Sequence, residues 1–103
     1  LLLMNEPEYY KLAQSCAERT LSEAKGHRQK TWIRLYERIT SHPPSTHDLA
    51  LLNQSLDQFL LHYKNNPELA KQSAYAAKEE DKTAAWTLLA HSLLNLEAAK
   101  VRR

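Results

Sequence analysis

Apolar side chains recur at intervals of three and four residues in five successive stretches of the chain, the spacing of one face of an α-helix. In the first, Tyr9, Ala13, Cys16, Ala17, Thr20 and Ala24 make a face of mostly small residues. Asn5 offers an N-cap, Glu6 and Pro7 suit a first turn, and Gly26 supplies a left-handed stop, so a helix is predicted from about Glu6 to Lys25. The second stretch sets Trp32, Leu35, Tyr36 and Ile39 on one face and Lys30, Arg34 and Arg38 on another, an amphipathic helix ending near Ser41. His42-Pro43-Pro44 breaks it, because proline lacks the amide donor and drives the residue before it out of helical dihedrals.

The clearest stripe follows, with Ser45 or Thr46 as its cap: Leu49, Leu52, Leu56, Phe59, Leu60 and Tyr63, a third helix to about Lys64. Asn66 and Pro67 open a weaker, alanine-rich fourth helix through Leu69, Ala70, Ala74 and Ala77, and Lys78 to Lys82 reads as a charged connector. Ala85, Trp86, Leu89, Leu93 and Leu96 then share a face, predicting a fifth helix from about Lys82 to at least Asn95. No fixed repeat period aligns these helices, which disfavours a solenoid.

Two of the helices are apolar beyond a single stripe. Leu51 and Leu61 lie well outside the third helix's stripe, and Leu88 and Leu94 project roughly 120° to either side of the fifth helix's face. The expectation is that Leu51, Leu61, Leu88 and Leu94 form exposed apolar surface, on which the rest of a parent polypeptide or a second copy docks. The competing reading is that neighbouring helices simply wrap around the fifth.

Composition narrows the class. Leu and Ala together number 31 against three for Val and Ile, with a single Gly, whereas strands favour β-branched residues and tight hairpins favour Gly. The 103 residues therefore predict one domain, an all-α compact bundle of four to five antiparallel helices with no sheet. A net charge of +2 is too small to demand a nucleic-acid partner. The apolar run Leu1-Leu2-Leu3-Met4 is too short to span a membrane, and with Met4 inside it the chain is expected to be a C-terminal fragment of a larger protein.

The order of several pieces is more specific than any one of them: Leu3-Met4-Asn5-Glu6-Pro7, Ala13 to Arg19, Leu35-Tyr36-Glu37-Arg38-Ile39, the Pro43-Pro44 break with its Ser45-Thr46 cap, and Ala85-Trp86-Thr87-Leu88-Leu89 running to Leu93-Leu94-Asn95. In that order they resemble the C-terminal part of the planctomycete cytochrome-c-associated domain of unknown function, found in large exported proteins. The chain departs from that pattern at Ser41-His42, where the family carries Arg before the proline pair. It departs again at Leu96-Glu97-Ala98-Ala99, where the family has an acidic-aromatic pair. The resemblance implies an exported or periplasmic parent with a haem domain elsewhere in its polypeptide, in a redox or polysaccharide-related setting; it implies no chemistry for this piece.

Side chains with chemical potential are scattered. His27, His42, His47, His62 and His91 fit no metal-ligand spacing, and the lone Cys16 lacks the second Cys and the His of a covalent haem motif, so neither zinc nor haem nor any other cofactor is expected. Cys16 reads as a small hydrophobe, Trp86 as a core anchor, and Asn95 as a residue that bonds a nearby loop or caps its helix. Lys30, Arg34 and Arg38, with Lys25 and Arg28 before them and Trp32 beside them, are the candidate polyanion site, set against an ordinary solvated helix face with Trp32 turned to the core. The expected function is a non-catalytic structural or interaction module. The alternatives are a small nucleic-acid or polyanion binder, and a contribution of His or Asn95 to an enzyme site completed elsewhere.

Overall fold

The computed structural model describes residues 6–74, 77 and 79–101, the last three by their backbone alone. The Asn5 cap, the Leu1–Met4 run and the terminal Arg102-Arg103 lie outside the described residues. Within them the chain forms α1 (Glu6–Ala24), α2 (Arg28–Thr40), α3 (Thr46–Asn65), α4 (Pro67–Ser73) and α5 (Glu80–Val101), and no strand. The all-α bundle expected from the apolar spacing is the architecture.

The stops follow backbone chemistry. After α1, Lys25 and Gly26 both take left-handed dihedrals, at φ of 53° and 79°, and the His27 amide then bonds Ala24 O at 3.0 Å. The α2 stop comes before the prolines: Ser41 is left-handed at φ 65° and returns its amide to Glu37 O, a role glycine usually fills. Ser45 caps α3 in a reciprocal box, its hydroxyl accepting from the Asp48 amide at 3.1 Å while its own amide donates to Asp48 Oδ2 at 3.2 Å.

Two boundaries differ from the sequence pattern. The fourth helix was expected to continue through Ala77 but ends at Ser73. Ser73 O accepts the Tyr10 hydroxyl at 2.8 Å, and the Ala77 amide that a continuing helix would send there bonds Ala74 O instead. The charged connector also ends sooner than expected. Glu80 and Asp81 form the first turn of α5, where acids favour the positive end of the helix dipole.

α5 is the axle of the bundle, packing against each of the other four helices. Ala84, Ala85, Trp86 and Thr87 are consecutive, so at about 100° per residue they point to four different sides. All four are at most 2% exposed. A helix apolar on every side has found a neighbour on every side. The core around it takes Ala13 and Ala17 from α1, Trp32 and Leu35 from α2, Leu56 and Tyr63 from α3, and Ala70 from α4.

Side-chain bonds fix the direction of α2 against α3. Tyr36 OH donates to Asp48 Oδ2 at 3.1 Å, Trp32 Nε1 to Asn53 Oδ1 at 3.1 Å, and Arg28 Nη2 to Asp57 Oδ1 at 2.6 Å. One number falls by four as the other rises by four or five, the signature of antiparallel neighbours. α1 runs antiparallel to α5: its first turn reaches His91 through Glu6, while Leu21 near its end shares a hollow with Trp86 near the start of α5.

Candidate functional site

The four leucines expected as docking surface separate by helix. Leu51 is 50% and Leu61 is 60% exposed. Leu88 and Leu94 are partly buried and packed against the core, because α5 is covered on the sides to which they project. The expectation fails for α5 and the wrapping alternative describes it. Leu96, placed by its spacing on the core face of the fifth helix, is 61% exposed instead.

On α3 the exposed leucines belong to a coherent outer face. The core side of α3 comprises Leu49, Leu52, Leu56, Phe59, Leu60 and Tyr63. His47, Leu51, Gln54, Gln58, Leu61 and Asn65 are all exposed and fall within a sector of about 80° on the opposite side, at about 100° per residue. None of those six is an acid or a permanent cation. Depletion of charge on an exposed face is the compositional mark of an interface centre.

Beside this face, Leu51 and Leu96 stand at the mouth of a groove of about 380 Å³ whose walls include Tyr36, Leu52, Phe59 and Leu93. Asp48 and Glu97 sit at its polar edge. Hydrogen bonds from Ser45, its hydroxyl first and its amide second, hold the Asp48 carboxyl below the usual carboxylate range, so the rim is anionic at neutral pH.

The basic stripe is largely committed to the fold. Arg38 donates from Nη2 to Glu23 Oε1 at 2.6 Å and from Nη1 to Thr20 Oγ1 at 2.8 Å, clasping α2 to α1. That hydrogen bond, aided by the charge of Arg38 itself and then of Arg19 and Arg34, holds the Glu23 carboxyl below its ordinary range. Arg28, leading into the stripe, is spent on Asn53 and Asp57 of α3. Lys30 and Arg34 remain on the exposed face, with Glu37 also exposed on the same helix. Trp32 gives no stacking surface: it is 1% exposed, with its indole N–H on Asn53.

The histidines do not converge. His27, His42, His47 and His62 are exposed, His27 and His42 beside the ends of α2 and His47 and His62 near opposite ends of α3, and among the described residues no three His, Cys, Asp or Glu side chains gather as a metal ion requires. His91 alone is built into a cluster. Its Nε2 lies 2.9 Å from Glu6 Oε1, its Nδ1 lies 3.4 Å from Asn95 Nδ2, and its ring sits 5.9 Å from that of Tyr10. The Asn95 amide is a donor, so Nδ1 accepts and the proton on Nε2 faces the carboxylate. Both ring nitrogens are thereby occupied, and the cluster ties the first turn of α1 to α5. Burial pushes the Tyr10 phenol above its usual range, keeping it a neutral donor to Ser73 O. Cys16 is half-buried against the core.

Sequence reasoning passed over Asn53, the acceptor shared by Trp32 and Arg28. Once the prolines make α2 and α3 antiparallel, index matching across the break brings Asn53 to Trp32, and a buried indole needs an acceptor. Among the described residues no helix is long and apolar enough to cross a membrane. The chain matches no protein-family profile, no curated protein and no solved structure.

Proposed function

We propose that the chain is a non-catalytic helical interaction module, and that it binds protein through the outer face of α3. The observation that carries this reading is the exposure of Leu51 and Leu61 on a face free of acids and permanent cations, diametrically opposite the side of α3 given to the core. A parent protein of the exported, cytochrome-c-associated kind is the setting its motifs imply, with the docking face serving that parent's assembly. Polyanion binding is the weaker reading, because Arg38 and Arg28 are engaged by Glu23 and Asp57, which leaves Lys30 and Arg34 as the members of the stripe outside those ion pairs.

Single substitutions Leu51→Gln and Leu61→Gln test it. Folding stability in urea is expected to stay within about 0.5 kcal/mol of the parent sequence, as at ordinary surface sites, while association weakens. Losses of roughly 2 kcal/mol or more would mark these positions as core and overturn the reading. Salt separates it from the polyanion alternative: apolar docking changes little as salt rises, whereas binding through phosphates falls steeply.

A further inference from the structure

The six residues of the α3 outer face are spaced four, three, four, three and four apart: His47, Leu51, Gln54, Gln58, Leu61, Asn65. That is the alternation of a coiled-coil seam, the positions that a partner helix must meet if two helices pack side by side. The seam is also a chemical palindrome. Read from either end it runs polar, leucine, glutamine, glutamine, leucine, polar.

A face that reads alike in both directions is complementary to itself under a two-fold axis perpendicular to the helix, the symmetry of an isologous dimer. We infer that the partner of this surface is a second copy of the chain, paired α3 against α3 in antiparallel register, with Leu51 of each copy on Leu61 of the other. The inference rests on the reading of α3 as a docking face. The two glutamine layers, Gln54 against Gln58, then lie between two leucine layers, and His47 meets Asn65 at either end. Paired glutamine side chains carry donors and acceptors that satisfy one another, and polar residues in a seam fix register at some cost in strength.

Charge at the ends of α3 chooses the antiparallel arrangement over the parallel one. The first turn carries Asp48, and the last carries His62 and Lys64. Antiparallel pairing sets each acidic end beside the other copy's basic end and opposes the two helix dipoles. Parallel pairing would bring the two acidic ends to one level and the two basic ends to the other. Near the axis the two Asp57 carboxylates approach, and each brings its own Arg28 guanidinium 2.6 Å away, so alternating charges meet there in place of two like ones. With two leucines per copy as its apolar content, the dimer is expected to be weak and concentration-dependent.

Sedimentation equilibrium on the full chain, with cross-linking, tests this. A monomer–dimer equilibrium is expected, with Leu51→Gln or Leu61→Gln raising its dissociation constant at least tenfold while circular dichroism stays unchanged. For register, His47→Cys and Asn65→Cys are placed on separate copies with Cys16→Ala in both, mixed, and oxidised. The expected product is the mixed 47-to-65 disulfide, because like positions would be about 27 Å apart along the helix pair. A 47-to-47 adduct in its place overturns the antiparallel register. Wild-type protein that stays monomeric into the millimolar range overturns self-pairing, and leaves the docking face standing when the leucine variants keep full folding stability. Loss of folding stability in those variants overturns both.

Discussion

α3 and α5 send the same signal in sequence, leucines beyond a single stripe, and meet opposite fates in the fold. α5 is enclosed by four helices, so Leu88 and Leu94 become wall contacts of the core. α3 touches α5 and α4 closely and meets α2 through long polar side chains, which leaves Leu51 and Leu61 in solvent. Apolar width therefore counts how many sides of a helix want cover without saying what covers them. Composition of the polar remainder says more. The flanks of α5's buried stretch are alanine and threonine, small residues that let neighbours approach, whereas the outer face of α3 carries glutamine, histidine and asparagine, side chains that tolerate both water and a partner.

The largest expected effect is at the centre of α5. Leu89→Ala removes a side chain 2% exposed at the meeting point of the helices, and a loss of about 2–5 kcal/mol in urea unfolding is expected. For a domain whose whole stability is on the order of 5–15 kcal/mol, that leaves a substantially weakened fold. Leu88→Gln and Leu94→Gln come next, at about 2 kcal/mol each, since a polar amide would enter a partly buried apolar contact. A loss under about 0.5 kcal/mol at both would remove the distinction between the two helices. One substitution in the same stretch should stabilise. Among the described residues Thr87 Oγ1 is buried without a hydrogen-bond partner, and Thr87→Val keeps the shape while deleting the orphaned hydroxyl, for a gain of about 1 kcal/mol by thermal or urea unfolding.

α3 has its own internal anchor, at the end nearest the prolines. Ser45→Ala deletes the hydroxyl that accepts from the Asp48 amide, and a loss of about 1 kcal/mol is expected, typical of an N-cap. It should also change the acid limb of stability. The folded Asp48 carboxyl titrates below its ordinary range, chiefly through Ser45, so below that range the unfolded chain holds the proton more tightly. The contribution is present above the ordinary aspartate range and is lost as pH falls through the lowered folded value. Ser45→Ala should flatten that acid dependence relative to the parent chain, and an unchanged slope would show that Asp48 is held by something else.

Much of the fold was legible because the chain marks its own breaks. Gly26, the proline pair and Asn66-Pro67 divide it into segments whose apolar spacing names a helix each, and Trp32 and Trp86 sit in the core as their leucine neighbours suggested. What stayed hidden depends on contacts between segments. At Ser73, where α4 ends, the carbonyl accepts a tyrosine hydroxyl from α1, a contact that no local pattern announces. Nothing in the run Lys30, Arg34, Arg38 says that Glu23 and Thr20 of another helix will hold the last of them. The same limit applies to the candidate surface: Leu51 and Leu61 are conspicuous on a helical projection, but Leu88 and Leu94 are equally so until four neighbours are in place.

The smallest expected effect is the one that cuts most finely between the two helices, because it lies within α5 itself. Leu89 and Leu96 are two turns apart on the same face, a separation that returns a helix to within about 20° of its starting direction. Their burial nevertheless runs from 2% to 61% exposed. Direction around the axis is shared, so the difference comes from position along it: among the described residues α5 outruns the helices that enclose its middle, and Leu96 lines the groove together with Leu51. Leu96→Gln should therefore alter folding stability by no more than about 0.5 kcal/mol, against several kcal/mol for truncation of Leu89. Such a result assigns the end of α5 to the same class of surface as the outer face of α3. A loss near 2 kcal/mol at Leu96 would mean instead that the groove closes over it in solution, and that enclosure extends along α5 to its last turns.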